Sequence, residues 1–182
     1  MTNLAIYKWN LEEYHKLIES GLLNDKLVEL LEGEIICMSP EEVPHAAAID
    51  SLADYLREKL QGKAGIREAH PITLGDSEPE PDIAVVRLPK TIYEEHHPYS
   101  EDIYWVIEVA DRTLAKDLED KARIYARQGI PEYWVLDVKK KQLWVLRQPV
   151  GDRYLEKLIW SDRAISPLSF PELELETTKI TI

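Results

Sequence analysis

The most restrictive feature of the sequence is the run Ile103-Tyr-Trp-Val-Ile-Glu-Val109, apolar and aromatic throughout apart from one carboxylate. A strand with one wet face alternates apolar and polar side chains. A near-continuous apolar run has to be covered on both faces, as the inner strands of an α/β sheet are. Ile83–Val86 is a second, shorter run of the same kind. Two further apolar runs, Tyr133–Val138 and Leu143–Leu146, flank the polar stretch 139–142 and predict a β-hairpin. Ile66–Leu74 and Tyr154–Trp160 read as additional strands.

The helices that cover such a sheet are also visible. Asn10–Ser20 has a capping residue at its start, Glu12 and Glu13 in its first turn, and Gly21 beyond its end. From His45, the positions Ile49, Leu52, Ala53, Leu56 and Leu60 recur at three- and four-residue steps. A third helix runs from about Leu114 to Gln128 and stops at Gly129, with Pro131 reinforcing the stop. Val28–Leu31 and Glu34–Met38 flank Glu32-Gly33 and suggest a small hairpin. Residues 87–102 read as a polar loop, and the carboxyl-terminal tail as irregular. The expectation is an α/β (α+β) domain with a mixed central β-sheet flanked by helices. At 182 residues, one domain over 1–182 is expected.

Composition excludes several classes of protein. A single cysteine, Cys37, leaves no intramolecular disulfide and no cysteine-based zinc site. That suits a reducing cytoplasm, where the chain is expected to act. The opening Met1-Thr-Asn-Leu4 lacks a basic segment followed by an apolar one, so no secretory leader is expected. No stretch reaches 18 apolar residues, so no membrane span is expected. The net charge of −12 repels phosphate backbones and anionic membranes at long range, unless a basic strip or bound cations reverse the sign locally. Arg57, Lys59, Lys63, Arg67, Arg123 and Arg127 are the candidates for such a strip.

Three charged residues stand where an apolar one is expected. Glu108 interrupts the most apolar strand, and a carboxylate buried there must neutralise, pair or bind a metal. Asp82 follows Pro81 and opens another inner strand. Two carboxylates at the ends of neighbouring inner strands would form a hard, oxygen-rich site suited to Mg²⁺ or Mn²⁺. Lys121 lies in the middle of the stripe Leu114, Leu118, Tyr125, whose members fall within about 40° on the helical wheel, and Asp117 lies at its edge. A lysine there must reach out to water or meet an anion inside. Taken singly, each of these charges fits a structural ion pair or a snorkelled side chain better than a site, and only the three together shift the balance towards a site. Glu29 and Glu34 on the small hairpin and His45 on the inward stripe are weaker candidates. His96-His97 reads as loop surface, and Trp105, Trp134 and Trp144 as core. There is no Gly-rich phosphate loop, nucleophile elbow or C-x-x-C motif.

Several ordered segments resemble the Uma-two-like family, formerly a domain of unknown function, within the restriction-endonuclease-like PD-(D/E)xK superfamily. They are Val28-Glu-Leu-Leu-Glu-Gly-Glu-Ile-Ile-Cys-Met-Ser-Pro40 followed by His45, Glu80-Pro-Asp-Ile-Ala-Val85, and Val106-Ile-Glu-Val109. The longest is Asp117-x-x-x-Lys121-x-x-x-Tyr125-Ala-x-x-Gly129-Ile-Pro-Glu-Tyr-Trp-Val-Leu-Asp137. The resemblance implies a restriction-endonuclease-like core and Mg²⁺- or Mn²⁺-dependent cleavage of DNA phosphodiester bonds. In that reading Asp82 and Glu108, with the Val109 carbonyl, hold the metal. Lys121 positions the attacking water, Glu29 holds Lys121 or a second ion, and Glu34, His45 and Asp117 lie around them.

The chain departs from the simplest superfamily pattern at two places. Ala110 stands where a lysine is usual, and the resemblance moves that lysine to Lys121. Ala110-Asp-Arg-Thr113 replaces a Ser-Pro-Ser-Thr-like turn, so Asp111 adds a negative charge beside the site. Two other functions fit the same residues. One is a catalytically silent interaction or regulatory module on the nuclease scaffold. The other is a small-molecule metal-dependent phosphohydrolase. The exposed strand and tryptophan-rich second half also suit a homodimer.

Overall fold

The computed structural model describes residues 5–40, 42–161 and 163–181. The amino-terminal Met1–Leu4 stretch read above lies outside them. Helix α1 (Leu11–Glu19) starts at Asn10, whose side chain accepts from the Glu13 amide while the Glu13 carboxylate accepts from the Asn10 amide. A hairpin of β1 (Val28–Leu31) and β2 (Glu34–Cys37) follows. Its turn uses Glu32 and Gly33, both at positive φ. Next come α2 (Val43–Lys59), β3 (Gly65–Glu68) and β4 (Ile83–Val86). Two short 3₁₀ turns, Lys90–Glu94 and Ser100–Asp102, lead into β5 (Ile103–Ala110).

The segment after β5 is helical without a break, but it is not uniform. Helix α3 (Leu114–Lys116) passes into a π-helical turn, Asp117–Lys121, and then into α4 (Ala122–Arg127). Strands β6 (Glu132–Asp137), β7 (Gln142–Val150) and β8 (Arg153–Trp160) follow. The tail adds two short strands, β9 (Ala164–Ile165) and β10 (Leu175–Glu176), and one turn of helix, α5 (Thr177–Ile180).

Six strands form the main sheet in the order β3-β4-β5-β6-β7-β8. Only the β5–β6 pair is parallel, because the α3–α4 segment crosses over between them. From Trp105 onward, beyond a register shift at the start of the strand, even-numbered residues of β5 face α4 and the small hairpin, in a core with Ala84, Val106, Tyr125 and Tyr133. Odd-numbered ones face α2 and the tail, in a second core with Leu52, Leu56, Trp105, Ile107 and Trp134. The run 103–109 is thus covered on both faces, for the reason its composition implied. The architecture is restriction-endonuclease-like: a mixed central sheet flanked by helices. Among the described residues no helix is long and apolar enough to cross a membrane.

One predicted strand is much shorter than expected. Ile66–Leu74 reads as a continuous strand, but β3 ends at Glu68, and Ala69 turns the chain at φ 45°. Continuing the register of β3 on β4 would place His70 and Ile72 opposite Pro81 and Pro79, which have no N–H to donate. The tail is anchored by Glu132, which is fully buried and accepts from Arg147, Trp134 and the Leu168 amide.

Candidate active site

Asp82 and Glu108 come together through the sheet. Ile83 pairs with Ile107, so one step further Asp82 lies directly opposite Glu108 on the face that α4 covers. The Asp82 Oδ2 accepts from the Val109 amide at 2.6 Å and lies 3.3 Å from His45 Nε2, in the first turn of α2. The Ala110 carbonyl accepts from the Val138 amide, on the β6 side. Adjacent residues of a strand direct their N–H and C=O groups to opposite neighbours, so those of Val109 point back toward β4. The residue opposite Val109 there is Pro81, which has no N–H. The ladder therefore supplies no donor to the Val109 carbonyl, at the end of the strand where both carboxylates sit.

Lys121 arrives from the π turn. The Ala122 amide bonds the Asp117 carbonyl, a five-residue step that lets Asp117 and Lys121 both turn inward. Lys121 Nζ donates to Glu108 Oε1 at 2.8 Å and lies 3.8 Å from Glu29 Oε2. The Tyr125 hydroxyl donates to the same Glu108 oxygen at 2.7 Å, which leaves Oε2 outside both bonds. Glu29 comes from β1 and is also held by Lys116 Nζ at 3.3 Å and by the Glu80 amide at 3.3 Å. Asp117 accepts from the Thr113 hydroxyl at 2.5 Å, and its carbonyl accepts from the Tyr133 hydroxyl.

The carboxyl groups of Glu29, Asp82, Glu108 and Asp117 thus surround one ammonium. Burial pushes Glu108 up to about 8, with Lys121 opposing and Asp82 and Asp117 adding to the rise. Burial also raises Asp117 and, with Glu29 and Glu78, Glu80. Desolvation works against the Lys121 charge, yet Glu108, Glu29, Asp82 and Asp117 outweigh it, and its pKa moves up. Lys121 is accordingly an ammonium at neutral pH, a donor and not a proton acceptor.

Most of the expected residues meet here: Asp82, Glu108, Lys121, Glu29, His45 and Asp117. Glu34 does not. It is on β2, half-exposed, and paired with Lys8 at 2.5 Å; opposite Leu31, it shares the hairpin face of Glu29 but sits beside the turn, where Lys8 takes up its carboxylate. Tyr125 and Lys116 were missed as functional candidates. Tyr125 could have been found from its position one turn after Lys121 on the same stripe. Nothing in the sequence pairs Lys116 with Glu29, 87 residues earlier.

Among the described residues no group of three or more His, Cys, Asp or Glu side chains is arranged as a metal-binding cluster. Mg²⁺ does not require one, since it binds through one or two carboxylates and keeps several waters. Asp82, Glu108 and the carbonyl freed by Pro81 fit such an ion. The expected basic strip is largely neutralised. Arg57 pairs with Glu68 and Asp54, Lys63 with Glu172, and Arg123 and Arg127 with Glu32. Three more cations are paired in the same way: Lys116 with Glu29, and Arg112 and Lys139 with Asp111.

A six-stranded mixed sheet with two acids on adjacent inner strands and a lysine delivered by the crossover helix is the arrangement that the resemblance implied. The family comparison agrees. The chain belongs to the Uma2 family, described as "putative restriction endonuclease", whose model matches residues 11–178. Its fold is similar to that of the crystal structure of "a putative nuclease belonging to DUF820" from Anabaena variabilis, with a TM-score of 0.71. That similarity has 21% sequence identity and covers 94% of this chain and 97% of the other. No curated protein matches the chain.

Proposed function

We propose that this protein is a Mg²⁺- or Mn²⁺-dependent endonuclease that hydrolyses phosphodiester bonds of DNA. The observation that carries the reading is the juxtaposition of Asp82 and Glu108 across β4 and β5, with Lys121 2.8 Å from Glu108. Asp82, Glu108 and the Val109 carbonyl would hold the ion. When bound, the ion supplies positive charge to the scissile phosphate and lowers the pKa of a bound water.

The chain's own residues do the rest. His45 and the Val109 amide fix the Asp82 carboxylate through Oδ2. Tyr125 and Lys121 fix Glu108 through Oε1 and leave Oε2 for the ion. Lys121, as an ammonium, donates to the attacking water or a phosphoryl oxygen and stabilises the charge that develops there. Glu29, itself held by Lys116, keeps that ammonium in place. We further assign residues 1–182 to one domain that acts in the cytoplasm. A homodimer could form through β8, an edge strand that exposes Leu155, Leu158 and Ile159.

Calorimetric titration with Mg²⁺ and Mn²⁺ tests the metal site, and a plasmid-nicking assay tests the chemistry. Wild type is expected to bind the ion and nick, and Asp82→Ala and Glu108→Ala to do neither while remaining folded. Lys121→Met is expected to bind metal with nicking reduced by about 10²-fold or more. Nicking that survives both alanine substitutions overturns the mechanism. Absence of metal binding in wild type makes the cluster structural and favours an interaction module.

A further inference from the structure

Among the described residues Arg67 has no counterion. Every other half-buried or buried Lys or Arg among the described residues — Lys59, Lys116, Lys121, Arg123 and Arg147 — has a carboxylate within 4 Å. Arg67 has none, in a chain whose net charge is −12. Its Nε is buried without a hydrogen-bond partner, and its guanidinium lies 5.5 Å from the centroid of the Tyr93 ring. Tyr93 is itself fixed by a hydrogen bond from its hydroxyl to the Arg87 carbonyl. A buried N–H left unpaired is costly, and in a protein rich in carboxylates a partner would have been easy to supply. An aromatic face instead orients the guanidinium without taking up its N–H groups.

The position of Arg67 relates it to the candidate active site. It lies on β3, an edge strand, opposite Ala84 of β4. Ala84 is two residues from Asp82, so Arg67 shares the sheet face that carries Asp82 and Glu108. Strand rise and spacing put its Cα roughly 8 Å from that of Asp82. We propose that Arg67 is a phosphate-binding residue that holds the nucleic-acid backbone beside the scissile bond, an inference that rests on the nuclease reading. A planar guanidinium matches two phosphate oxygens, and phosphate contacts fix the position of a duplex without reading its sequence.

The test compares Arg67→Gln and Arg67→Lys with wild type in plasmid nicking, and measures binding of a fluorescent duplex by anisotropy in the Glu108→Gln background at several salt concentrations. Arg67→Gln is expected to raise Kd and KM about tenfold or more, with kcat within about twofold of wild type. The slope of log K against log salt should fall by about 1. Arg67→Lys should restore the slope and only part of the affinity; should the Gln variant not fold, a Lys variant with undiminished affinity refutes the proposal. If wild type nicks DNA and Arg67→Gln has unchanged Kd and salt slope, Arg67 is structural and the inference fails. If wild type and Glu108→Gln are alike in cutting nothing, the nuclease reading fails and takes the inference with it. A wild-type Arg67 Nε–H NMR signal that responds to inorganic phosphate and not to duplex assigns the site to a free phosphate and overturns the nucleic-acid reading.

Discussion

Glu108 and Glu132 are both buried carboxyl groups in inner strands, exposed by 2% and 0%, yet the same change to glutamine should affect them very differently. Glu132 is a structural anion. Its Oε1 accepts from Arg147 Nε at 2.8 Å and Nη2 at 2.6 Å and from Trp134 Nε1, and its Oε2 accepts from the Leu168 amide at 2.7 Å. Glutamine would set its amide N–H₂ against one of those donors and leave the Arg147 guanidinium without its counterion. Breaking a buried pair in this way costs about 3–5 kcal/mol. At roughly 2–4 °C per kcal/mol for a chain of this size, Tm should fall by about 6–20 °C. Burial pushes Glu108 up to about 8 against the pull of Lys121, which brings its neutral form within easy reach at pH 7. Glutamine mimics that neutral form and keeps the oxygen that accepts from Lys121 and Tyr125, so the cost should be about 1 kcal/mol or less. Urea unfolding of both variants at pH 7 in chelator-treated buffer measures the two costs. A loss above about 2 kcal/mol for Glu108→Gln would mean that Glu108 and Lys121 form an ordinary buried ion pair, and the description of the site would be wrong.

Two other measurements bear on the site and its surroundings. Pro81→Ala restores a backbone N–H opposite the Val109 carbonyl, so Mg²⁺ affinity by calorimetry should fall about tenfold or more; unchanged affinity removes that carbonyl from the proposed ligands. Burial lowers the pKa of His97 below its usual value, with Arg67 adding to the effect and Glu78 opposing it. On acidification through about 6.5 the unfolded chain takes up a proton before the folded one does, so wild type should lose stability there relative to His97→Gln. A Tm difference between the two that stays constant from pH 7.5 to 5 would contradict this.

Much of the architecture was legible because it is a matter of local pattern. Covering both faces of 103–109 requires helices on either side of an inner strand, and a parallel neighbour requires a crossover. The Leu114–Tyr125 stripe pointed Lys121 inward before any partner for it was known, since helical periodicity alone decides which residues share a face. Asp82 and Glu108 stood out because a carboxylate in an apolar strand is costly unless it is used.

What the sequence could not show depends on register and on contacts between distant segments. Strand pairing put Asp82 opposite Glu108 and Pro81 opposite Val109, and a shift of one residue would have turned each side chain to the other face. The π turn set the inward angle of Asp117 and Lys121. Glu29 and Glu34 share one face of the hairpin, and only their partners separate them: Lys116 and Lys121 hold Glu29 in the site, while Lys8 holds Glu34 outside it. The tertiary structure also decided the charge balance, because a cation's partners are set by proximity in space: Arg123 and Arg127 are neutralised by Glu32, while Arg67 is left without a carboxylate on the face of the sheet that carries Asp82 and Glu108. Composition fixes how many charges a chain carries, but folding determines which of them remain free to meet a ligand.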